Sequence, residues 1–220
     1  MNKFKIKNLI LDILFPRRCV ECKREGQYIC EKCELFITES LNNIDNLTSV
    51  WEYNGIIQKA LKEVKYRYTK DILNELIERA FKIILNNEDE FSDFLSFMIN
   101  EKPVITYVPI YRKKEKNRGF NQSEIIAKKI GEIFDLKVVK LLEKARETQS
   151  QTKLNRGERL RNVQSSVTNT AAFDTELSNI SSVLLVDDIW TTGATMGECE
   201  KILKQNGIQK LWKFTLAKTV

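Results

Sequence analysis

Four of the chain's five cysteines fall in the pattern Cys19-x2-Cys22-x7-Cys30-x2-Cys33. Two C-x2-C pairs on neighbouring turns can set four thiolates at the corners of a tetrahedron, the geometry that zinc prefers. Four protein ligands leave no open position, so such an ion would be structural. An iron–sulfur cluster is the other group that four thiolates hold, and disulfides are disfavoured in a reducing compartment. A second concentration of chemistry runs from Val183 to Thr195, VLLVDDIWTTGAT. Its apolar run reads as a buried parallel strand, with Asp187 and Asp188 at the carboxyl end. Carboxylates accept hydrogen bonds from vicinal hydroxyls such as those of ribose, and they hold Mg2+ directly or through water. Thr191, Thr192, Gly193, Ala194 and Thr195 then lead into a helix. Hydroxyls and backbone N–H groups at a helix start bind phosphate, and the helix dipole helps. A capped helix after an ordinary strand accounts for one threonine and one aspartate, not for the whole set.

A third group is basic. Arg112, Lys113, Lys114, Lys116 and Arg118 follow the strand-like Val104–Val108 and could neutralise a pyrophosphate; the competing reading is a solvated loop. Between Glu101 and Arg161 there are 16 Lys or Arg against 8 Asp or Glu, a local +8, so the other residues sum to −2 within the total of +6. That excess could attract an anionic ligand. Arg17, Arg18, Lys23 and Arg24 flank the cysteines and read as balancing thiolate charge. Cys199 reads as a small buried residue. There is no histidine, which excludes a Ser-His-Asp or Cys-His triad and any H-E-x-x-H site.

The elements that must position these groups follow from periodicity. The apolar residues Ile6, Leu9, Ile10, Ile13 and Leu14 predict an amphipathic helix over 3–14, stopped by Pro16. Asp12 and the lack of a cleavage site argue against a signal peptide. Residues 34–47 read as a helical link and Ser49–Tyr53 as a short strand. Helical spacing recurs over 56–64 and 72–85. Tyr111–Gly119 reads as a loop, 121–134 as a helix, 137–142 as a strand and 145–162 as unassigned. Val183–Val186 reads as a strand, followed by a helix to about Gln205 and a last strand near 211–216. Alternating strands and helices imply an α/β fold with a mainly parallel sheet. No run approaches the length of a membrane span, and the protein is expected to be cytoplasmic.

LLVDDIWTTGAT resembles the diphosphate-sugar motif of type I phosphoribosyltransferases. The cysteine knuckle, Lys65-Tyr66, Val108-Pro109 with Arg118-Gly119-Phe120-Asn121-Gln122, and Gln151 with Arg159 and Asn162 resemble the ComF family of competence-associated proteins. The resemblance spans about residues 10–218 in the same order. It implies a small zinc-binding appendage over 1–46 and a phosphoribosyltransferase-like domain over 47–220. It implies that phosphoribosyl diphosphate binds with Mg2+, Asp187 and Asp188 taking the ribose hydroxyls and Thr191 to Thr195 the 5-phosphate. Arg112, Lys116, Arg118 and Lys65 would serve the pyrophosphate and flap. Many relatives acting on purine bases carry an acidic residue where this chain has Thr191, which argues against transfer to a nucleobase.

Two functions are compatible with this. One is an enzyme that transfers ribose phosphate to an unidentified acceptor. The other, favoured by the family resemblance, is an accessory of natural transformation that handles incoming single-stranded DNA with DNA-uptake proteins. Tyr107, Tyr111, Phe120 or Trp190 would then stack bases, unless they belong to the core.

Overall fold

The computed structural model describes residues 16–40, 45–67, 70–144, 167–170 and 180–219. The expected helix over 3–14 and the residues Gln151, Arg159 and Asn162 lie outside these, as does the side chain of Tyr66. The strands β1 (Leu47–Glu52), β2 (Val104–Tyr107), β5 (Ser182–Trp190) and β6 (Lys210–Lys218) form one sheet in the order β1-β6-β5-β2, every pair parallel. A separate antiparallel pair joins β3 (Leu142–Lys144) to β4 (Val167–Asn169).

Both faces of the sheet are covered, which is why its strands are near-continuous apolar runs. Side chains alternate along a strand. Leu184 and Val186 of β5 enter the core shared with helices α2 (Gly55–Arg67), α3 (Lys70–Asn86) and α6 (Gln122–Phe134), while Val183 and Leu185 pack with α7 (Ala194–Gln205). On α3 the residues Ile72, Leu73, Leu76, Ile77, Ala80, Phe81 and Ile84 are buried, the stripe that helical spacing predicts. In α6, Gly131 is needed for close packing: a Cβ there would stand 2.6 Å from Val138 Cγ2.

Several elements differ from expectation. Tyr111–Gly119 is not a loop: Arg112–Arg118 forms a helix, α5, ended by Gly119 in the left-handed region. Arg, Lys and Glu are good helix formers, and Gly stops a helix there at little cost. The described part of the expected 34–47 helical link departs from it: after the short helix α1 (Glu31–Glu34) residues 37–40 extend, with Ser40 N–H donating to Val50 O and Glu52 N–H to Thr38 O. Only Val138 of the expected 137–142 strand bridges the sheet, to Ile105, and the regular strand begins at Leu142. A helix over Ser92–Ser96 (α4) running into a π turn over Phe97–Glu101, and β4, were not expected.

Candidate functional site

Parallel strands bring their carboxyl ends to one edge of a sheet, where α/β proteins place ligands. Here all four ends open on a cavity of about 560 Å³: Tyr53 follows β1, Val108–Tyr111 follow β2, Asp187–Thr195 end β5 and enter α7, and Thr219 follows β6. The cavity exists because β2 leaves early. Its last bond to β5 is Val108 N–H to Val186 O, 2.9 Å. Pro109 follows and has no N–H to continue the ladder. β5 runs on, paired with β6 as far as Trp190 with Lys218. The aspartates therefore lie within a strand that has lost one neighbour, not beyond its end.

The Asp188 N–H would have continued the ladder towards β2. Asp187 Oδ1 accepts it instead at 2.8 Å, and also accepts from Ser123 Oγ at 2.7 Å. Ser123 is fixed by Asn121, the N-cap of α6, whose side chain accepts from Ser123 N–H and donates to Val108 O at 3.0 Å. Asp188 is buried, and its Oδ2 lies 2.8 Å from Lys65 Nζ. A carboxylate at a strand end is ordinarily solvated; this one is buried, with a counter-charge supplied by α2. Burial and the adjacent Asp188 carboxylate push the Asp187 carboxyl up to about 7, against the pull of Ser123, the Asp188 N–H and Lys65. Burial opposes the charge on Lys65, yet Asp188 and Asp187 hold its pKa above the ordinary lysine value.

Thr191, Thr192, Gly193, Ala194 and Thr195 all line the cavity. Thr192 Oγ1 accepts from Ala194 N–H at 3.4 Å, and Thr191 O accepts from Thr219 Oγ1 at 3.1 Å. The first-turn N–H groups of α7 have no helical carbonyl to bond, so this end of the cavity suits an anion. Gly193 is required twice over. Its φ is 71°, and a Cβ would collide with the Trp190 indole.

Lys65 and Arg118 line the cavity, Arg118 Nη1 donating to Gln122 Oε1 at 2.5 Å. Arg112 and Lys116 are exposed and are not among the lining residues; Arg112 lies 4.0 Å from Glu143. Sequence reasoning missed Tyr53, Gln58, Ser123 and Lys144, which also line it. Ser123 directly follows the quoted Asn121-Gln122 pair. Lys144 carried no local signal. Of the aromatics, Tyr107 and Phe120 are buried, while Tyr111 and Trp190 reach the cavity.

The ligating atoms of Cys19, Cys22, Cys30 and Cys33 all lie within 4.8 Å of one another. A tetrahedron of sulfurs around zinc, at about 2.3 Å each, needs separations of this order, so the four thiols suit a metal ion such as zinc. The turn that gathers them uses Lys23 and Gly26 at positive φ. Burial opposes ionisation of Cys19, but N–H groups of Cys30, Cys22 and Glu21 bring its thiol down to about 6. Burial and the other thiols push Cys33 up to about 12. Glu75 of α3 accepts from Tyr28 N–H (3.2 Å) and Ile29 N–H (3.0 Å), and Arg79 bonds Ile29 O and Glu34, both at 2.6 Å. Val20, Ile29 and three of the cysteines join the core shared with α2 and α3. Cys199 is buried. Among the described residues no helix is long and apolar enough to cross a membrane.

No protein-family model matches the chain. It is 28% identical over 185 residues to competence protein ComFC of Bacillus subtilis, covering 81% of this chain and 67% of that protein. It is 29% identical over 209 residues to ComFC of Streptococcus pneumoniae, covering 91% and 80%. It is 26% identical over 205 residues to competence protein F of Haemophilus influenzae, covering 91% and 84%. Three relatives from separate bacteria, each matched over at least 81% of this chain, support its assignment to the ComF family.

Proposed function

We propose that the cavity binds phosphoribosyl diphosphate with Mg2+ and that the protein serves natural transformation, acting where incoming single-stranded DNA is received in the cytoplasm. The competence context comes from the names of the relatives. The ligand reading is carried by one observation: adjacent aspartates on a strand freed of one neighbour run within three residues into a threonine-lined helix start. That spacing offers hydroxyl acceptors beside a phosphate cradle. Asp187 and Asp188 would hold Mg2+, largely through water; bound there, the ion would neutralise the diphosphate. In this reading residues 1–46 form an appendage stabilised by structural zinc and 47–220 the ligand-binding domain. The exposed cations of α5, Arg112, Lys113 and Lys116, would track a nucleic-acid backbone.

Calorimetric titration of phosphoribosyl diphosphate with Mg2+ tests this. Asp187→Asn with Asp188→Asn, which keeps the local hydrogen-bond acceptors, should abolish binding. Unchanged affinity in the folded double variant would sink the assignment.

Transfer of ribose phosphate to an acceptor is a second reading, favoured by Asp187. A carboxyl raised to about 7 is matched to accepting a proton at neutral pH. Release of pyrophosphate only when an acceptor is added would establish it.

A further inference from the structure

The cations that line the cavity are not those that chain order suggests. Helical residues four apart share a face, and on α5 Lys114 and Arg118 line the cavity while Arg112, Lys113 and Lys116 are exposed. A further ammonium enters from another element. Lys144, the last residue of β3, also lines the cavity and is half-buried.

No carboxylate among the described residues lies within ion-pair distance of Lys144. Burial and the neighbouring Lys114 ammonium both act against its charge, leaving its pKa below the ordinary lysine value; Asp187 is the acid that favours the charged form. A partly desolvated cation placed near a second cation costs stability when nothing anionic is bound. The chain carries that cost at a cavity wall, where an anion could offset it.

We propose that Lys144 is a ligand-contacting residue and that, with Lys114, it holds the diphosphate group of the ligand beside Asp187. This rests on the sugar-diphosphate reading above and adds to it a residue from outside every motif of the sequence. Helix α5 then turns its Lys114–Arg118 face to a small ligand and its other cations to solvent.

The test is calorimetric titration of the full chain with inorganic pyrophosphate and, separately, with ribose 5-phosphate, each with Mg2+. Lys144→Met should weaken pyrophosphate binding about tenfold or more, since a charge-assisted contact is lost. It should leave ribose 5-phosphate binding unchanged. Lys144→Arg should retain pyrophosphate binding, and Lys201→Met, on the exposed side of α7, should match the wild type. Ligand-free Lys144→Met should melt no lower than the wild type, because it removes a cation with no carboxylate partner among the described residues. Should that variant fail to fold, Lys144→Gln replaces it in the same comparison. Pyrophosphate affinity equal to wild type in the neutral variant, or a loss confined to ribose 5-phosphate, overturns this assignment and spares the ligand reading. Failure of the wild-type chain to bind either ligand overturns both.

Discussion

Lys65 Nζ and Asp188 Oδ2 stand 2.8 Å apart, joining the end of α2 to the carboxyl-terminal part of β5. The pair explains how a buried carboxylate survives in a strand whose run from Val183 to Val186 is apolar and buried. It also gives Lys65 a structural role. Removing one partner of a buried pair leaves an uncompensated charge. Lys65→Met should lower stability by about 2 kcal/mol, less than for a fully buried pair because the lysine side chain keeps 26% exposure. Chemical denaturation would measure this, and adding Asp188→Asn should restore part of the loss. Because the Lys65 pKa is raised, its contribution is fully present below the ordinary lysine pKa and is lost as pH rises through the higher folded value.

For Asp187 it is the charged form that the fold disfavours. Its folded carboxyl titrates near 7, above an ordinary aspartate at about 3.9. The native state therefore binds more protons between those values, and stability falls as pH rises across that window. Asp187→Asn keeps the acceptor for Ser123 and Asp188 N–H but cannot ionise. It should melt like the wild type at pH 4 and higher than the wild type at pH 8. Equal melting temperatures at both pH values would show that Asp187 is not held neutral by its surroundings.

The cysteine cluster should hold about one zinc per chain, measured by elemental analysis. Metal binding must displace protons, most of all from Cys33 with its thiol near 12, so affinity should rise with pH. Cys22→Ser should lower the melting temperature and loosen the contacts of Ile29 with Glu75 and Arg79. Protein purified without zinc, or with iron, would refute the assignment.

Single-stranded DNA should bind with weak sequence preference and an affinity that falls steeply with salt, at a log–log slope of about −0.7 per phosphate contacted. Lys113→Gln with Lys116→Gln removes two exposed cations of α5 and should flatten that slope by about 1.4 if each meets a phosphate. Pyrophosphate binding should persist, since neither residue lines the cavity. An unaltered slope would take α5 out of any DNA track.

Much of this architecture was legible in the chain. The apolar stripes of α2, α3 and α6 follow helical spacing closely, and the cysteine spacing announces its cluster. What escaped depended on partners distant in sequence. β5 was cut short because Asp187 and Asp188 end its apolar run, yet its ladder to β6 continues to Trp190. α5 was mistaken for a loop because its charges spoke louder than its helix formers. Tyr53 and Lys144 could not be placed in the site, since only the strand order and the β3–β4 pair bring them there.

The hydrogen bond from Asp188 N–H to the Asp187 carboxylate has a consequence for how the molecule behaves in company. Where β2 departs, β5 presents a raw strand edge, the kind of surface on which a foreign strand can add. Asp187 occupies the donor there and sets a carboxylate against any incoming backbone carbonyl. The hydrogen bond to Asp187 thus withholds the donor that an added strand would need. Asp187→Ala would free that donor and should raise self-association, measured by light scattering, while the fold persists.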